Sequence, residues 1–264
     1  MTFSIDQKNL DQYTQKLVQI NSINPLLSPE GKGEAEISTY VADSLNALGL
    51  DVKRSEVAPG RFNVVGTLKG SGGRRSLLLN AHLDTVGVEG MTIAPFSGEL
   101  RNGRVYGRGA QDMKGSLAAM MATAKALVDA GIKLKGDLHI TGVADEEYGS
   151  LGTEALVKEI SADAAIVTEP TDMHLCRAHR GFIWFDVETF GRAAHGSRYS
   201  EGIDANMRIG RFLTELDKLE QELLSRKGHE LTGSPSLHAA LLQGGTEIST
   251  YADRCMLKIE RRTT

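Results

Sequence analysis

The sequence has few of the cysteines that cross-link small secreted proteins, and it has no excess of the basic residues that bind nucleic acids. Its 264 residues include two cysteines, Cys176 and Cys255, which stand alone and form no CxxC pair. This spacing predicts free thiols in a reducing compartment, so any bound metal would be held by histidine and carboxylate side chains. A formal net charge of −4 gives no basic surface for nucleic acid or an anionic membrane, and we expect neither as a partner.

Long apolar runs are also missing. No run reaches the length of a membrane span, and the polar first residues, Met1 to Asn9, lack the apolar core of a signal peptide. The sequence therefore predicts a cytoplasmic protein. Apolar residues make up 41% of the chain, which is ordinary for a soluble globular protein and sufficient for one large or two modest domains.

The stretch from Ser76 to Gly115 carries the first chemical motif. The apolar run Leu77–Leu79 predicts a buried strand, and His82 and Asp84 follow at its carboxyl end. Because side chains alternate along a strand, we expect the Asp84 carboxylate to reach the imidazole of His82. A metal-bound histidine often has such a partner, although a structural hydrogen bond at a strand end explains the same pair.

A glycine-flanked aspartate, Asp112, completes that stretch. It lies between a predicted strand at Val105 and a helix whose apolar residues follow helical spacing from Leu117 onward. The dipole of the helix favours a carboxylate at this end, which suits a metal ligand. A helix N-cap is the alternative function of Asp112, although Ser116 is better placed to cap.

Two further strands end in acidic residues. Asp145, Glu146 and Glu147 follow the strand predicted over 137–143, and Glu169 follows the one predicted over 164–168. Alternation sends Glu146 and Glu147 to different sides, so one could bind a metal while the other reaches a bound water. A solvated acidic turn is the alternative. Ligands of α/β proteins bind beyond the carboxyl ends of the strands, where all these residues are expected to meet.

The order of predicted elements indicates an α/β fold with two domains. Residues 1–179 predict a catalytic α/β/α domain with a mostly parallel sheet. Residues 180–264 read strand, helix, strand, strand, which is the first part of a ferredoxin-like α+β lid that needs another helix and strand to close. We therefore expect both domains to be incomplete at the C-terminus.

These motifs resemble those of a known family. They are His82-Leu-Asp84, Asp112 in GAQDMKG, Asp145-Glu146-Glu147, Glu169 in VTEPT and His195 in GRAAHGS. Together, and in this order, they resemble the dinuclear-zinc metallopeptidase family that contains acetylornithine deacetylase, succinyl-diaminopimelate desuccinylase, aminoacylases and glutamate carboxypeptidase. The resemblance covers nearly the whole chain.

The resemblance implies a ligand set for two zinc ions, with Co²⁺ or Mn²⁺ as possible substitutes. Asp112 would bridge both ions, His82 and Glu169 would complete one site, and Glu147 would belong to the other. The peptide bond from Asp112 to Met113 is expected to be cis. The family completes the second site with a histidine from a C-terminal segment that this sequence does not contain.

The resemblance also implies roles in catalysis and assembly. Glu146 would be the general base, Asp84 would orient the metal-bound histidine, and His195 would reach across a lid-mediated homodimer to polarise the substrate carbonyl. Arg180 and Arg262 resemble the positions that bind the free carboxylate of the substrate, although solvent-facing arginines are an equal alternative.

We therefore expect a metal-dependent amidohydrolase that cleaves N-acyl amino acids. The alternatives are a carboxypeptidase or dipeptidase acting on short peptides, or a non-catalytic module for metal binding or association. The sequence does not identify the acyl group or the amino-acid side chain. The histidines outside the motifs are poor substitutes for the missing ligand: His139, His174, His179, His229 and His238. We expect a C-terminally incomplete chain that associates readily, binds one ion more tightly than a second and has little or no hydrolytic activity.

Overall fold

The computed structural model describes residues 4–73 and 75–264. The chain forms two compact units, the first ending at Met173 and the second comprising His174–Thr264. This division and the predicted boundary between residues 179 and 180 fall in the same loop. In the described residues, no helix combines the length and apolar character that crossing a membrane requires.

The first unit contains helices and strands that alternate along the chain. They are α1 (Gln7–Gln19), α2 (Ala35–Ala47), β1 (Asp51–Ala58), β2 (Arg61–Leu68), β3 (Leu77–His82), β4 (Glu99–Arg101), β5 (Arg104–Tyr106), a π-helical turn (Ala110–Lys114), α3 (Gly115–Asp129), β6 (Leu138–Val143), α4 (Leu151–Glu159) and β7 (Ala164–Val167). The second unit contains β8 (Gly181–Phe190), α5 (Ala205–Ser225), β9 (Ser236–Gly244) and β10 (Arg254–Thr263).

The central sheet of the first unit has the strand order β1-β2-β6-β3-β7. Strands β6, β3 and β7 pair in parallel, whereas β2 is antiparallel to both of its neighbours. Four of the five strands therefore run in one direction, and the predicted α/β fold with a mostly parallel sheet is confirmed. The carboxyl ends of β3, β6 and β7 lie at one edge of the sheet, where His82, Asp145 and Glu169 follow.

The core of the first unit forms because α2 and α3 place apolar side chains against the sheet and α1 packs on α3. Leu17, Ile37, Leu117 and Ile140 are fully buried members of one cluster. The side chain of Asp6 caps α1 by accepting a hydrogen bond from the main-chain N–H of Lys8. Gly107 and Gly109 lie just before the π-helical turn and have positive φ angles that only glycine adopts readily.

Three local expectations differ from the structure. Ser116 does not cap α3, because that helix begins at Gly115 and the Ser116 hydroxyl instead donates to the Thr168 carbonyl. Strand β7 was expected to be buried, but its residues are exposed because it pairs only with β3 within the described chain. Helix α4, which follows the acidic turn, was not predicted at all.

The second unit is an antiparallel sheet with the order β8-β10-β9 and one helix. Asp204 caps α5 through its side chain. Ile209 and Leu223 of the helix are buried in one cluster with Leu257 and Ile259 of β10. The predicted strand, helix, strand, strand order is present, and the function of this unit as a lid remains a prediction.

Candidate metal centre

Three predicted metal ligands meet at the carboxyl edge of the sheet. His82 Nε2 lies 3.1 Å from Asp112 Oδ1 and 3.8 Å from Glu169 Oε1. One ligand atom from each of these residues can be chosen so that all three lie within 4.8 Å of one another. The His82 side chain is buried, whereas the two carboxylates are partly open to solvent.

The fold brings these side chains together from separate segments. Parallel pairing of β3 with β7 places His82 and Glu169 beside each other. Asp112 comes from the π-helical turn before α3, and its peptide bond to Met113 is cis, as the resemblance implies. Met113 is buried in the core, and its sulfur accepts a hydrogen bond of 3.2 Å from the main-chain N–H of His82. The turn is thereby fixed to the end of β3.

Asp84 contacts the imidazole differently from the prediction. His82 Nδ1 lies 2.9 Å from the Asp84 main-chain carbonyl, which orients the ring. The Asp84 carboxylate is 3.7 Å from the same nitrogen, beyond hydrogen-bond distance, because β3 ends at His82 and strand alternation no longer applies. Instead, this carboxylate accepts hydrogen bonds from the main-chain N–H groups of Glu146 (3.0 Å) and Glu147 (3.2 Å).

The three consecutive acidic residues after β6 have different environments. Asp145 is buried with a φ of 64°, and its side chain points into the protein, where it contacts Asn24 and Arg61. Glu146 is exposed, and its Oε2 lies 3.9 Å from His82 Nε2. Glu147 is half-buried. The segment is therefore not a uniformly solvated turn.

Burial and mutual proximity change the proton affinities of these groups. Burial raises the pKa of Glu147 to about 7, and it raises the pKa of Glu169 to about 7 as well. Burial also opposes charge on His82, but the hydrogen bond to Asp112 and the nearby carboxylates outweigh it and raise the pKa of His82 to about 9. The hydrogen bond from His82 lowers the pKa of Asp112.

This donor set fits a divalent transition metal. An imidazole and carboxylates without thiolate suit Zn²⁺, Co²⁺ or Mn²⁺. Ligands of a tetrahedral zinc ion are about 3.4 Å apart when the bonds are about 2.0–2.2 Å long. The spacings of 3.1 and 3.8 Å from His82 to the two carboxylates bracket that value. The raised pKa values show that the cluster retains protons that a cation could replace.

The candidate residues of the second unit lie in other surroundings. His195 is exposed, and its Nδ1 is 2.8 Å from the Ser197 hydroxyl oxygen. Arg180 and Arg262 line one cavity of about 380 Å³ together with His179. Arg180 Nε donates to the Thr232 carbonyl at 2.6 Å, which leaves the rest of its guanidinium at the cavity.

The sequence analysis missed several buried polar residues beside the site. Asn24, Glu34 and Arg61 form a hydrogen-bonded group with Asp84 and Asp145. Lys114 is fully buried, and its ammonium nitrogen donates to the main-chain carbonyl of Ile20 at 2.7 Å. Only the adjacency of Lys114 to Asp112 in the glycine-flanked motif could have drawn attention to that side chain.

Comparison with proteins of known sequence gives named relatives. The chain is 31% identical to N-formyl-4-amino-5-aminomethyl-2-methylpyrimidine deformylase of Bacillus subtilis (strain 168), over 96% of the chain and 64% of that protein. It is 30% identical to acetylornithine deacetylase of Shigella sonnei (strain Ss046), over 93% of the chain and 65% of that enzyme. The chain thus spans less than two thirds of the length of these curated relatives.

Solved structures and a family model agree on the fold. A metallo-carboxypeptidase from Sulfolobus solfataricus superposes with a TM-score of 0.77 at 19% identity, covering 96% of this chain and 71% of that one. A tripeptidase from Staphylococcus aureus superposes with a TM-score of 0.70 at 24% identity, covering 98% of this chain and 67% of that one. The model of peptidase family M20/M25/M40 matches residues 78–255, which include every predicted site residue except Arg262. The chain belongs to peptidase family M20/M25/M40.

Proposed function

We propose that this chain carries the metal-binding half of an amidohydrolase that removes a small acyl group from an amine nitrogen. The observation that carries the proposal is the convergence of His82, Asp112 and Glu169, with Glu146 beside them, at the carboxyl edge of the sheet. A binding module that holds no reacting water would have no need of an additional carboxylate 3.9 Å from the ligand imidazole.

In the proposed reaction, His82, Asp112 and Glu169 would hold one metal ion, and Glu147 would help to hold a second. Bound zinc would supply a water of lowered pKa and a Lewis acid for the scissile carbonyl. Glu146 accepts the proton of the attacking water and delivers it to the nitrogen of the leaving amine. Asp84 keeps the His82 ring oriented through its main-chain carbonyl and holds the turn of Glu146 through its carboxylate.

The substrate is proposed from two sources. The names of the two curated relatives describe removal of a formyl group and an acetyl group, which favours deacylation over peptide cleavage. The cavity lined by Arg180 and Arg262 suits a carboxylate, because guanidinium groups bind carboxylates in a bidentate manner. N-acyl amino acids satisfy both features. An N-formyl aminopyrimidine is the second candidate, because the name of the Bacillus relative describes such a substrate. This compound has no carboxylate for the two arginines to bind.

Assembly and location belong to the same proposal. We propose a cytoplasmic homodimer in which the second unit associates and His195 stabilises the oxyanion of a substrate bound to the partner. The supporting observation is that His195 is exposed on a loop and has no direct hydrogen bond to a carboxylate among those described.

A hydrolysis screen tests the proposal. N-formyl and N-acetyl amino acids, N-succinyl amino acids, an N-formyl aminopyrimidine and dipeptides are incubated with Zn²⁺ or Co²⁺, using both this chain and a version extended at its C-terminus to the length of its curated relatives. We expect the N-acyl amino acids to be hydrolysed by the extended version, and R262A to raise KM about tenfold for these substrates alone. Preferential hydrolysis of dipeptides would contradict deacylation, and the absence of metal-dependent hydrolysis of any substrate would contradict the proposal.

A further inference from the structure

A buried polar cluster lies directly behind the candidate metal centre. Its members are Asn24, Glu34, Arg61, Asp84 and Asp145, and all five side chains are buried. They come from five separate segments: the loop after α1, the residue before α2, the start of β2, and the ends of β3 and β6. We refer to these five residues as the Asn24 cluster.

Asn24 joins two of the three buried carboxylates of the cluster, those of Asp84 and Asp145. Its side-chain nitrogen donates to Asp84 Oδ2 at 2.8 Å and to Asp145 Oδ1 at 2.9 Å. Its side-chain oxygen accepts from the main-chain N–H of Leu26 at 3.0 Å. Because two carboxylates face one atom and an N–H faces the other, only one orientation of the amide satisfies all three contacts. A main-chain hydrogen bond of 2.8 Å from Asn24 to Thr85 fixes this residue beside the end of β3.

Arg61 neutralises the other end of the cluster. It forms a bidentate pair with Glu34, at 2.7 and 2.6 Å, and lies 3.0 Å from Asp145 Oδ1. Glu34 in turn accepts from the main-chain N–H of Asp145 at 3.2 Å. Buried charges are tolerated when they are paired and hydrogen-bonded in this way. Arg61 makes no hydrogen bond to Asp84 among the contacts described, and Asn24 is the cluster residue whose side chain donates to the Asp84 carboxylate.

The geometry of Asp84 connects the cluster to the candidate centre. Its carboxylate accepts from Asn24 and from the main-chain N–H groups of Glu146 and Glu147, while its main-chain carbonyl meets His82. Rotation of this carboxylate would release the two N–H groups and move the turn. We infer that Asn24 is a positioning residue that fixes the Asp84 carboxylate, and through it the turn that carries Glu146 and the candidate ligand Glu147.

This inference rests on the proposed metal site but concerns a residue outside it. Partners that orient metal ligands typically change metal affinity or activity by about 10–100-fold when they are mutated. Asn24 lies one contact further out, so we expect the lower end of that range. Asn24→Asp is the sharpest variant, because it keeps the shape and the acceptor for Leu26 but removes the amide donor to Asp84 and Asp145 and adds a fourth carboxylate to the cluster.

The test measures Zn²⁺ affinity by chelator competition and the visible absorption spectrum of bound Co²⁺. We expect N24D to lower Zn²⁺ affinity about tenfold or more and to change the Co²⁺ spectrum. Thr141→Val is the matched control: it removes a buried hydroxyl on β6 that donates to Leu79 and Asn80 but does not touch Asp84. It should lower the melting temperature of the metal-free chain and leave metal affinity and spectrum unchanged.

The outcomes separate this inference from the proposed function. If the wild-type chain binds no metal, the proposed centre fails, and the inference fails with it. If the wild type binds metal and N24D matches it in affinity and spectrum, only the inference is overturned. If N24D does not fold, N24A is measured in its place. On a D84A background, N24A should cause no further loss of affinity; an additive loss would show that Asn24 does not act through Asp84.

Discussion

The two units hold their candidate functional residues in different ways. In the first unit, His82, Asp84 and Asp145 are buried, and hydrogen bonds from several segments fix them. In the second unit, His195 is exposed and Arg262 is partly exposed. Metal ligands need fixed geometry, which buried, hydrogen-bonded surroundings provide. Residues that contact a substrate can remain open until the substrate arrives.

This contrast predicts that substitutions in the two units will have different effects. Changes in the first unit should alter metal binding, whereas changes in the second unit should alter turnover or substrate affinity with the metal still bound. The following variants test that separation, from the largest expected effect to the smallest.

Glu146→Gln should abolish turnover without releasing metal. The amide can still form hydrogen bonds but cannot accept the water proton, so we expect kcat to fall by about 10²–10⁴-fold in the extended version of the chain used for the hydrolysis screen. Glu147→Gln should instead lower metal occupancy. Steady-state kinetics and metal analysis of both variants distinguish the two roles, and near-normal kcat in E146Q would contradict the assignment of Glu146 as base.

His195→Ala should lower kcat by about 10²–10³-fold, the effect of losing one group that stabilises an oxyanion. Its metal content should equal that of the wild type, because the residue belongs to the other unit. His229→Ala, also an exposed histidine of the second unit, is the control and should retain full activity. A loss of zinc from H195A, or an unchanged kcat, would refute the proposed role.

Zinc affinity should rise with pH. In the metal-free chain the pKa of His82 is raised to about 9, so below that pH zinc must displace a proton from the imidazole. The apparent affinity should therefore increase by about tenfold per pH unit for each proton released and level off above pH 9. Protons held by Glu147 and Glu169, whose pKa values are about 7, steepen the rise at lower pH.

Calorimetric titrations in buffers of different ionisation enthalpy count these protons. R262A, in the second unit, should show the same pH dependence as the wild type. A zinc affinity that does not change between about pH 6 and 9 would contradict the prediction that zinc displaces protons from His82, Glu147 and Glu169.

Lys114→Met should change the pH dependence of stability. Burial lowers the pKa of Lys114 to about 7, whereas an unfolded chain keeps the ordinary value of 10.5. Between these values the unfolded state binds the extra proton, so the wild-type free energy of unfolding rises with pH by at most about 1.4 kcal/mol per pH unit from this group. The variant lacks this contribution.

Melting curves of the metal-free wild type and K114M, measured from about pH 7 to 10, give the comparison. The difference in melting temperature between the two proteins should change by about 2–4 °C for each kcal/mol of change in the difference between their free energies of unfolding. Parallel curves for the two proteins over this range would show that Lys114 does not titrate as its burial implies.

The sequence predicted the features that depend on local pattern. Apolar runs identified β3 and β6, and the candidate ligands His82, Glu147 and Glu169 were selected because they lie at or shortly after the end of a strand. The shared edge could be expected because parallel strands end together.

Features that depend on distant contacts were not predictable. Asn24 and Asp145 are 121 residues apart in the sequence, and no periodicity or motif predicts the hydrogen bond between them. Lys114 was missed, because a buried lysine is recognisable only when its carbonyl partner is known. The contact between the Asp84 carboxylate and His82 was predicted wrongly, because the prediction assumed that the strand continues to Asp84. Strand β3 ends at His82, and the imidazole meets the Asp84 main-chain carbonyl instead.

The most direct measurement of the central claim is the zinc stoichiometry and affinity of this chain beside those of His82→Ala and His139→Ala. His139 is a partly buried histidine on the adjacent strand that hydrogen-bonds to Thr67 at 2.9 Å and serves as the control. We predict at least one tightly bound zinc ion in the wild type and in H139A, and a loss of affinity of about 100-fold or more in H82A. Equal zinc binding by H82A and the wild type, or no zinc bound by the wild type, would contradict the metal centre.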